Sequence, residues 1–545
     1  MFLIKLTLAL ASVVALLGCA GAPGAGPQQD KTYSLTVLHT NDHHGRFWKN
    51  SDGEYGMAAR KTLIDRIRQQ VASAGGHTLL LDGGDVNTGV PESDLQNAVP
   101  DFKGMDMLGY DAMAVGNHEF DKPLAVLRSQ RAMVKFPMLA ANIYEDGRRM
   151  FEPYKVFDVD GLRVGVIGLT TEDTRKMVSP ENIKGIEFRS VIAEARKVVP
   201  GVRSKADIVI AATHMGHYEN GKHGSQAEGD VEMARAVSGI DLVVGGHTQN
   251  PVCMKAENVL DRAYVPGADC QPDRQNGAWI VQAHEWGKYV GRADFQYRNG
   301  ELKLVKYALI PVNLMQTVKG NDGKSSKVPY TELIAEDKAM LEMLKPYQDF
   351  GQQKLQVEIG STDGKLEGDR AVVRSKPASM AVLIGQAMMD RTNADFAVVN
   401  SGGVRDSFAP GKLTYKDVLK VQPFGNTVVT ADLTGSEVMD YLNAVAKMSV
   451  GSGAFAQFAG IQLEIVAGTV ARAMVKGAAF DRTRTYRMVV NRFSAEGGDG
   501  YPKLTRHPTY VDTGYVDADV LRAYVSANSP LKAMNYEPGD TVVRR

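Results

Sequence analysis

Residues 34–45 read Ser34-Leu35-Thr36-Val37-Leu38-His39-Thr40-Asn41-Asp42-His43-His44-Gly45. Apolar and polar side chains alternate up to Thr40 and a glycine follows, which predicts a β-strand closed by a turn. The carboxylate and the imidazoles therefore arrive at the strand's C-terminal end. The arrangement recurs along the chain. Leu79-Leu80-Leu81 runs into Asp82-Gly83-Gly84-Asp85, and Ala112-Met113-Ala114-Val115 into Gly116-Asn117-His118-Glu119-Phe120-Asp121. Ile208-Val209-Ile210-Ala211-Ala212 runs into Thr213-His214, and Leu242-Val243-Val244 into Gly245-Gly246-His247-Thr248-Gln249. Sites in open α/β sheets form at the carboxyl ends of strands, so five strands deliver Asp, His, Asn and Gln to one rim. Divalent metals bind such a mixture of oxygen and imidazole ligands, and two ions sharing a carboxylate need about seven of them. The pattern points to a two-metal site.

Asp-x-His, Gly-Gly-Asp, Gly-Asn-His-Glu, Thr-His and Gly-Gly-His, taken in this order, resemble the signature of the calcineurin-like metallophosphoesterases. Length allows more than one domain, and composition is that of an ordinary soluble globular protein. The chain has 545 residues, 44% hydrophobic and 23% charged, with a formal net charge of zero. No long basic run offers a footprint for nucleic-acid polymers, so phosphate chemistry here is expected to act on small molecules or to be steered by local arginines.

The first 18 residues read as a processing segment: Lys5 supplies the positive end and Leu6 to Leu17 a short apolar core. Leu16-Leu17-Gly18-Cys19 resembles the bacterial lipobox, which makes Cys19 the expected lipidated first residue of a membrane-anchored, periplasm-facing protein. Residues 19–30 are expected to form a flexible Gly/Pro-rich tether. Cys253 and Cys270 are the other cysteines. An exported chain meets an oxidising compartment, so they are expected to pair, contributing about 3 kcal/mol in the entropy model.

Strand and helix alternate through the five ends, with a helix expected from Met57 to Val71. Trp279-Ile280-Val281, Gly291–Tyr297 and Leu302–Ile310 read as antiparallel strands, the last two joined at Asn299-Gly300. The expected fold is α/β: an N-terminal mixed α/β sandwich over residues 31–325, a hinge and linker helix over 326–354, and a C-terminal α/β domain over 355–545. Lys319–Ser326 is a polar, Gly/Ser-containing break, and Thr331 to Tyr347 is the expected helix.

By extent, the resemblance narrows to bacterial periplasmic 5′-nucleotidases that also hydrolyse UDP-sugars. It implies two divalent ions (Mn, Zn, Co or Mg), one held by Asp42, His44 and Gln249, the other by Asn117, His214 and His247, with Asp85 bridging. From composition alone, His43 and His217 compete with His44 and His214. The resemblance assigns His118 and Asp121 to transition-state stabilisation; Asp121 also suits a helix cap before Lys122-Pro123. In the C-terminal domain Arg370, Arg374 and Arg405 are candidates for phosphate, since arginine grips it bidentately. The resemblance makes Phe424 and Phe493 a clamp on the base and gives Asp499 to the nucleoside; the ordinary fate of a phenylalanine is the core. The expected reaction is hydrolysis of 5′-nucleotides and UDP-sugars by water activated between the ions. Related alternatives are a 2′,3′-cyclic phosphodiesterase and an NAD pyrophosphatase; one of another class is a nucleotide-binding surface lipoprotein without turnover. The chain is expected to act as a monomer on small-molecule nucleotides.

Overall fold

The computed structural model describes residues 26–178, 182–218, 228–320, 324–539 and 542–545. The processing segment, Cys19 and residues 321–323 of the polar break lie outside them. No helix among the described residues is long and apolar enough to cross a membrane.

Strand Tyr33–Thr40 sits inside a six-stranded sheet, parallel to His77–Asp82 on one side and antiparallel to Tyr289–Arg298 on the other. Ala112–Ala114 and Met138–Leu139 continue the parallel edge, and Glu301–Pro311 closes the opposite one. A second six-stranded sheet runs Asp273–Gln275, Ala278–Val281, Leu242–Val244, Ile208–His214, Leu162–Thr170, Tyr154–Val159. The five ligand-bearing strands are therefore split, three in one sheet and two in the other. Leu35, Val37, Leu79 and Leu81 from the first sheet share a core with Val164, Val166, Ile210 and Val244 from the second. The sheets approach each other closely at Gly168, where a Cβ would stand 2.1 Å from the Leu139 carbonyl oxygen. Helices Met57–Ser73 and Val191–Arg203 bury Leu63, Ile64 and Ile67, and Val198, Val199 and Val202, respectively, on the outer faces. The result is the expected mixed α/β sandwich.

The Asn299-Gly300 turn forms as expected. Both residues have positive φ, 49° and 87°, and Arg298 pairs with Glu301 across a two-residue loop. Ala278–Val281 departs from its antiparallel reading, being parallel to Leu242–Val244 and antiparallel only to Asp273–Gln275. Cys253 and Cys270 are bonded, with Cα atoms 4.9 Å apart.

The region between the domains differs from expectation. Met315–Lys319 pairs antiparallel with Ser325–Pro329, so the polar break belongs to a hairpin. The helix runs over Lys338–Leu355, seven residues later than the Thr331 start. Its start is set by Asp337, whose side chain accepts from the Met340 N–H at 2.8 Å. Upstream, Ile334 is held extended by two hydrogen bonds with the Asn313 side chain, at 2.7 and 3.0 Å. The helix buries Met340 and Leu344 in the same cluster as Met57, Phe102 and Met105, so it is docked on the first domain.

The second domain is built on a five-stranded mixed sheet ordered Ala456–Ala459, Phe396–Asn400, Thr485–Asn491, Thr427–Thr434, Val511–Val516. Helices Ser379–Thr392 and Asp517–Asn528 cover one face, and Gly435–Ala446 covers the other.

Candidate functional site

The two sheets bring their carboxyl edges to one rim because the loops after their strands interlock. Asp42 N–H donates to the Gly84 carbonyl at 2.9 Å, and a Cβ on Gly246 would stand 2.6 Å from the Gly83 carbonyl oxygen. Only glycine permits that approach. The seven candidate ligands gather there. Asp85 Oδ2 lies 2.9 Å from His214 Nε2 and 3.9 Å from His44 Nε2, between the two groups. Asn117 Oδ1 is 3.1 Å from His214 Nε2 and 2.9 Å from His247 Nδ1. On the other side His44 Nε2 is 3.7 Å from Asp42 Oδ1 and 2.6 Å from the Gln249 side-chain amide. His44 Nδ1 faces the Thr88 carbonyl at 2.8 Å and His214 Nδ1 the Gly83 carbonyl at 2.7 Å, leaving both Nε2 atoms turned to the carboxylates.

The competing histidines point elsewhere. His43 Nε2 meets Asp101 at 2.9 Å and its Nδ1 accepts from Arg60 at 3.2 Å; His217 Nε2 meets Asp273 at 2.8 Å.

His118 stands beside the ligands. Its Nδ1 is 2.5 Å from Asp121 and its Nε2 4.0 Å from Asp85. Burial disfavours the imidazolium, but the charges of Asp121 and Asp85 outweigh it and raise the pKa. Helix Leu124–Met133 has Pro123 at its N-cap, so Asp121 is engaged by His118 and does not cap it.

The second domain reaches this rim. The Phe424 ring stacks on His118 with centroids 6.0 Å apart and planes 11° apart, and the Arg405 guanidinium lies 5.4 Å from the Phe424 ring centre. Arg370 Nη1 donates to Gln249 Oε1. Burial, and the neighbouring Arg370, bring Arg405 down to about 10, and burial depresses Arg374 as well. Asp499 accepts from Asn400 at 3.2 Å; burial pushes its pKa up to about 6 against the pull of that bond and of Arg374. Phe493 is buried on a short helix, Arg492–Ala495, with Gly498 flat against its ring. The two phenylalanines thus differ: Phe424 is half-buried beside His118, and Phe493 is buried against Gly498.

The donor set fits divalent cations. Asp42 Oδ1 is buried without a hydrogen-bond partner, and the ring nitrogens of His214 and His247 face each other at 3.3 Å around an amide oxygen. Lone pairs so crowded call for a cation. Asp42, His44, Asp85, His247 and Gln249 all hold positive φ, between 51° and 79°. Such backbone costs about 1–3 kcal/mol per residue and clusters where side chains are aimed at a ligand. No motif marks Asn41, which donates to Asp42 Oδ2 at 2.7 Å and accepts from the Ala283 N–H at 2.7 Å. Its signal was its place immediately before the ligand, on the turn.

Residues 35–251 match the family model for calcineurin-like phosphoesterase, and residues 358–506 match that for the 5′-nucleotidase C-terminal domain. A 5′-nucleotidase of Vibrio cholerae is 55% identical over 549 residues, covering 100% of this chain and 99% of that protein. The chain belongs to the 5′-nucleotidase family. The protein UshA of Escherichia coli is 58% identical over 94% of each chain. A crystal structure of a 5′-nucleotidase precursor from Thermus thermophilus superposes with a TM-score of 0.75 at 29% identity, over 94% of this chain and 99% of that one. This member of the 5′-nucleotidase family is therefore a metallophosphoesterase-type hydrolase of nucleotides. Enzymes of the calcineurin-like type use divalent metal ions, and His44, Asp85 and His118, or Asp85, His214 and His247, lie close enough to hold one.

Proposed function

We propose that the enzyme removes phosphate from 5′-nucleotides and splits UDP-sugars into UMP and sugar phosphate, using two divalent ions. Asp42, His44 and Gln249 would hold one ion, Asn117, His214 and His247 the other, with Asp85 shared. Bound there, the ions would supply activation of water and charge to offset that of the phosphoryl oxygens. His118, kept protonated by Asp121, donates from Nε2 to the phosphoryl or leaving oxygen. Residues 31–325 supply this chemistry. Residues 355–545 hold the substrate: Arg370, Arg374 and Arg405 take phosphate oxygens, Phe424 and Phe493 take the base, and Asp499 the ribose. The observation that carries this reading is the stack of Phe424, from the second domain, on His118 of the first. It sets a platform for an aromatic base beside a group that acts on phosphorus.

Turnover of AMP, UDP-glucose, a 2′,3′-cyclic nucleotide and NAD, followed by chromatography of the nucleotides and nucleosides formed, tests it. AMP and UDP-glucose are expected to be turned over best. Exclusive turnover of the cyclic nucleotide or NAD would overturn the substrate assignment. For location we propose a monomer anchored on a periplasm-facing membrane through Cys19. Metabolic labelling with a fatty acid should mark the wild type and leave Cys19→Ser unlabelled.

A further inference from the structure

Behind the ligands lies a set of side chains that faces neither the cleft nor the rim. Glu119, 2% exposed, follows His118 in the chain. Its Oε1 accepts from the N–H of Val86 at 2.9 Å, the N–H of Asn87 at 3.2 Å and the Asn87 side-chain amide at 3.2 Å. Its Oε2 accepts from the N–H of Gly116 at 2.7 Å and of Asp85 at 3.1 Å. One carboxylate thereby ties the loop bearing Asp85 to the loop bearing Asn117. A second tie comes from Gln130 on helix Leu124–Met133. Its Nε2 donates to Asn87 Oδ1 at 2.7 Å, and Asn87 Nδ2 returns a bond to Gln130 Oε1 at 3.1 Å. The carbonyls of Asn87 and Thr88, held by this pair, in turn face His44 Nδ1 at 3.2 and 2.8 Å.

We propose that Glu119 and the Asn87–Gln130 amide pair are positioning residues that set the enzyme's metal affinity, by presenting Asp85, Asn117 and His44 as one rigid half of the site. The inference rests on the two-metal reading above. Asp85 and His44 hold left-handed backbone, with φ of 60° and 51°, which a free loop abandons. Affinity falls by the fraction of time the ligands are out of place, so whatever fixes the loops sets the binding constant. The chemistry of residue 119 is specific. Five N–H donors converge on it and none of its partners is an acceptor. A carboxylate meets them all, whereas an amide of the same shape turns an NH₂ group against some of them. Gln130 is a cleaner probe because it touches neither a ligand nor the residues of the ligand motifs.

The test is calorimetric titration of the metal-free protein with Co²⁺ alone, with the visible spectrum recorded alongside. Wild type is compared with Glu119→Gln and Gln130→Leu. Glu194→Ala is the control: Glu194 is buried in the same domain on helix Val191–Arg203 and accepts from the Tyr144 hydroxyl at 2.7 Å and from Arg149 at 2.8 Å, none of them a residue of the ligand loops. Both test variants are expected to bind Co²⁺ about 10–100-fold more weakly, as outer partners of ligands do, with an altered spectrum. Glu194→Ala should lose thermal stability and keep wild-type affinity. Unchanged affinity in Gln130→Leu and Glu119→Gln, or an equal loss in Glu194→Ala, overturns the inference. If Glu119→Gln does not fold, Gln130→Leu decides alone. A wild type that takes up no Co²⁺ refutes the two-metal reading instead, an outcome separate from failure of the positioning role.

Discussion

His118 differs from the other imidazoles of the rim in what its nitrogens face. His44 and His214 spend Nδ1 on backbone carbonyls, whereas His118 spends Nδ1 on the carboxylate of Asp121. A carboxylate there favours the protonated ring, which is the basis of the proposed role as an acid. His118→Ala is expected to lower kcat by about 10²–10⁴ while metal content, measured by atomic absorption, stays at the wild-type value. Loss of metal with the imidazole would make it a ligand. Asp121 raises the His118 pKa, so in Asp121→Asn the imidazolium loses its proton at lower pH. The sign follows: a required acid fails above its pKa, so the alkaline limb of the kcat–pH profile should move to lower pH. Phe424→Ala should raise KM for AMP and change little with an aryl phosphate, which has no base to stack. Exhaustive chelation should abolish both activities, and Mn²⁺ or Co²⁺ should restore them.

At the scale of elements, the close approach of the two sheets carries its own prediction. A methyl group on Gly168 would collide with Leu139, at 2.1 Å from its carbonyl oxygen and 2.5 Å from its Cβ. Gly168→Ala is therefore expected to cost about 1–3 kcal/mol, read as a lower midpoint in denaturant with unchanged slope. Strands were the most legible part of the sequence. One alternating run and four apolar runs of three to five residues, each leading to Asp, Asn or His, carry their own signal, and all five strands form. Legibility stopped where a distant partner decides. Nothing local distinguishes His43 from His44; the choice is made by Asp101 and Arg60, which draw His43 away from the rim. The division of the five strands between two sheets, and the parallel pairing of Ala278–Val281, are likewise set by residues far along the chain. The late start of helix Lys338–Leu355 had a local cue in Asp337, but periodic Leu333 and Ile334 upstream masked it. Ile334 is buried in an extended segment, and Leu333 is 56% exposed. Hydrophobic period alone cannot separate those outcomes from a helix.

At the scale of the whole molecule, the metal-ligand candidates lie in one domain and the nucleoside candidates in the other, and several contacts join them. Besides Phe424 on His118 and Arg370 on Gln249, Lys416 of the second domain pairs with Glu92 of the first, which also accepts from Gln352 of the docked helix at 2.7 Å. Glu92 is 1% exposed and its lysine partner 20%. Release of nucleoside is expected to need these contacts to part, by rigid-body motion beyond Leu355, where the docked helix ends. Opening leaves Glu92 with an amide in place of a cation. A nearly buried carboxylate that loses its cation is strongly disfavoured, so the pair biases the molecule towards the closed arrangement. Lys416→Met should weaken that bias, increasing the radius of gyration by solution scattering and raising KM for AMP about tenfold, while Co²⁺ affinity stays at the wild-type value. Replacing both partners, with Glu92→Leu added, should recover part of the loss, because no buried charge is then left unpaired. If Lys416→Met alters neither the scattering nor KM, the pair does not act in closure and the position of the domains is set elsewhere in the interface.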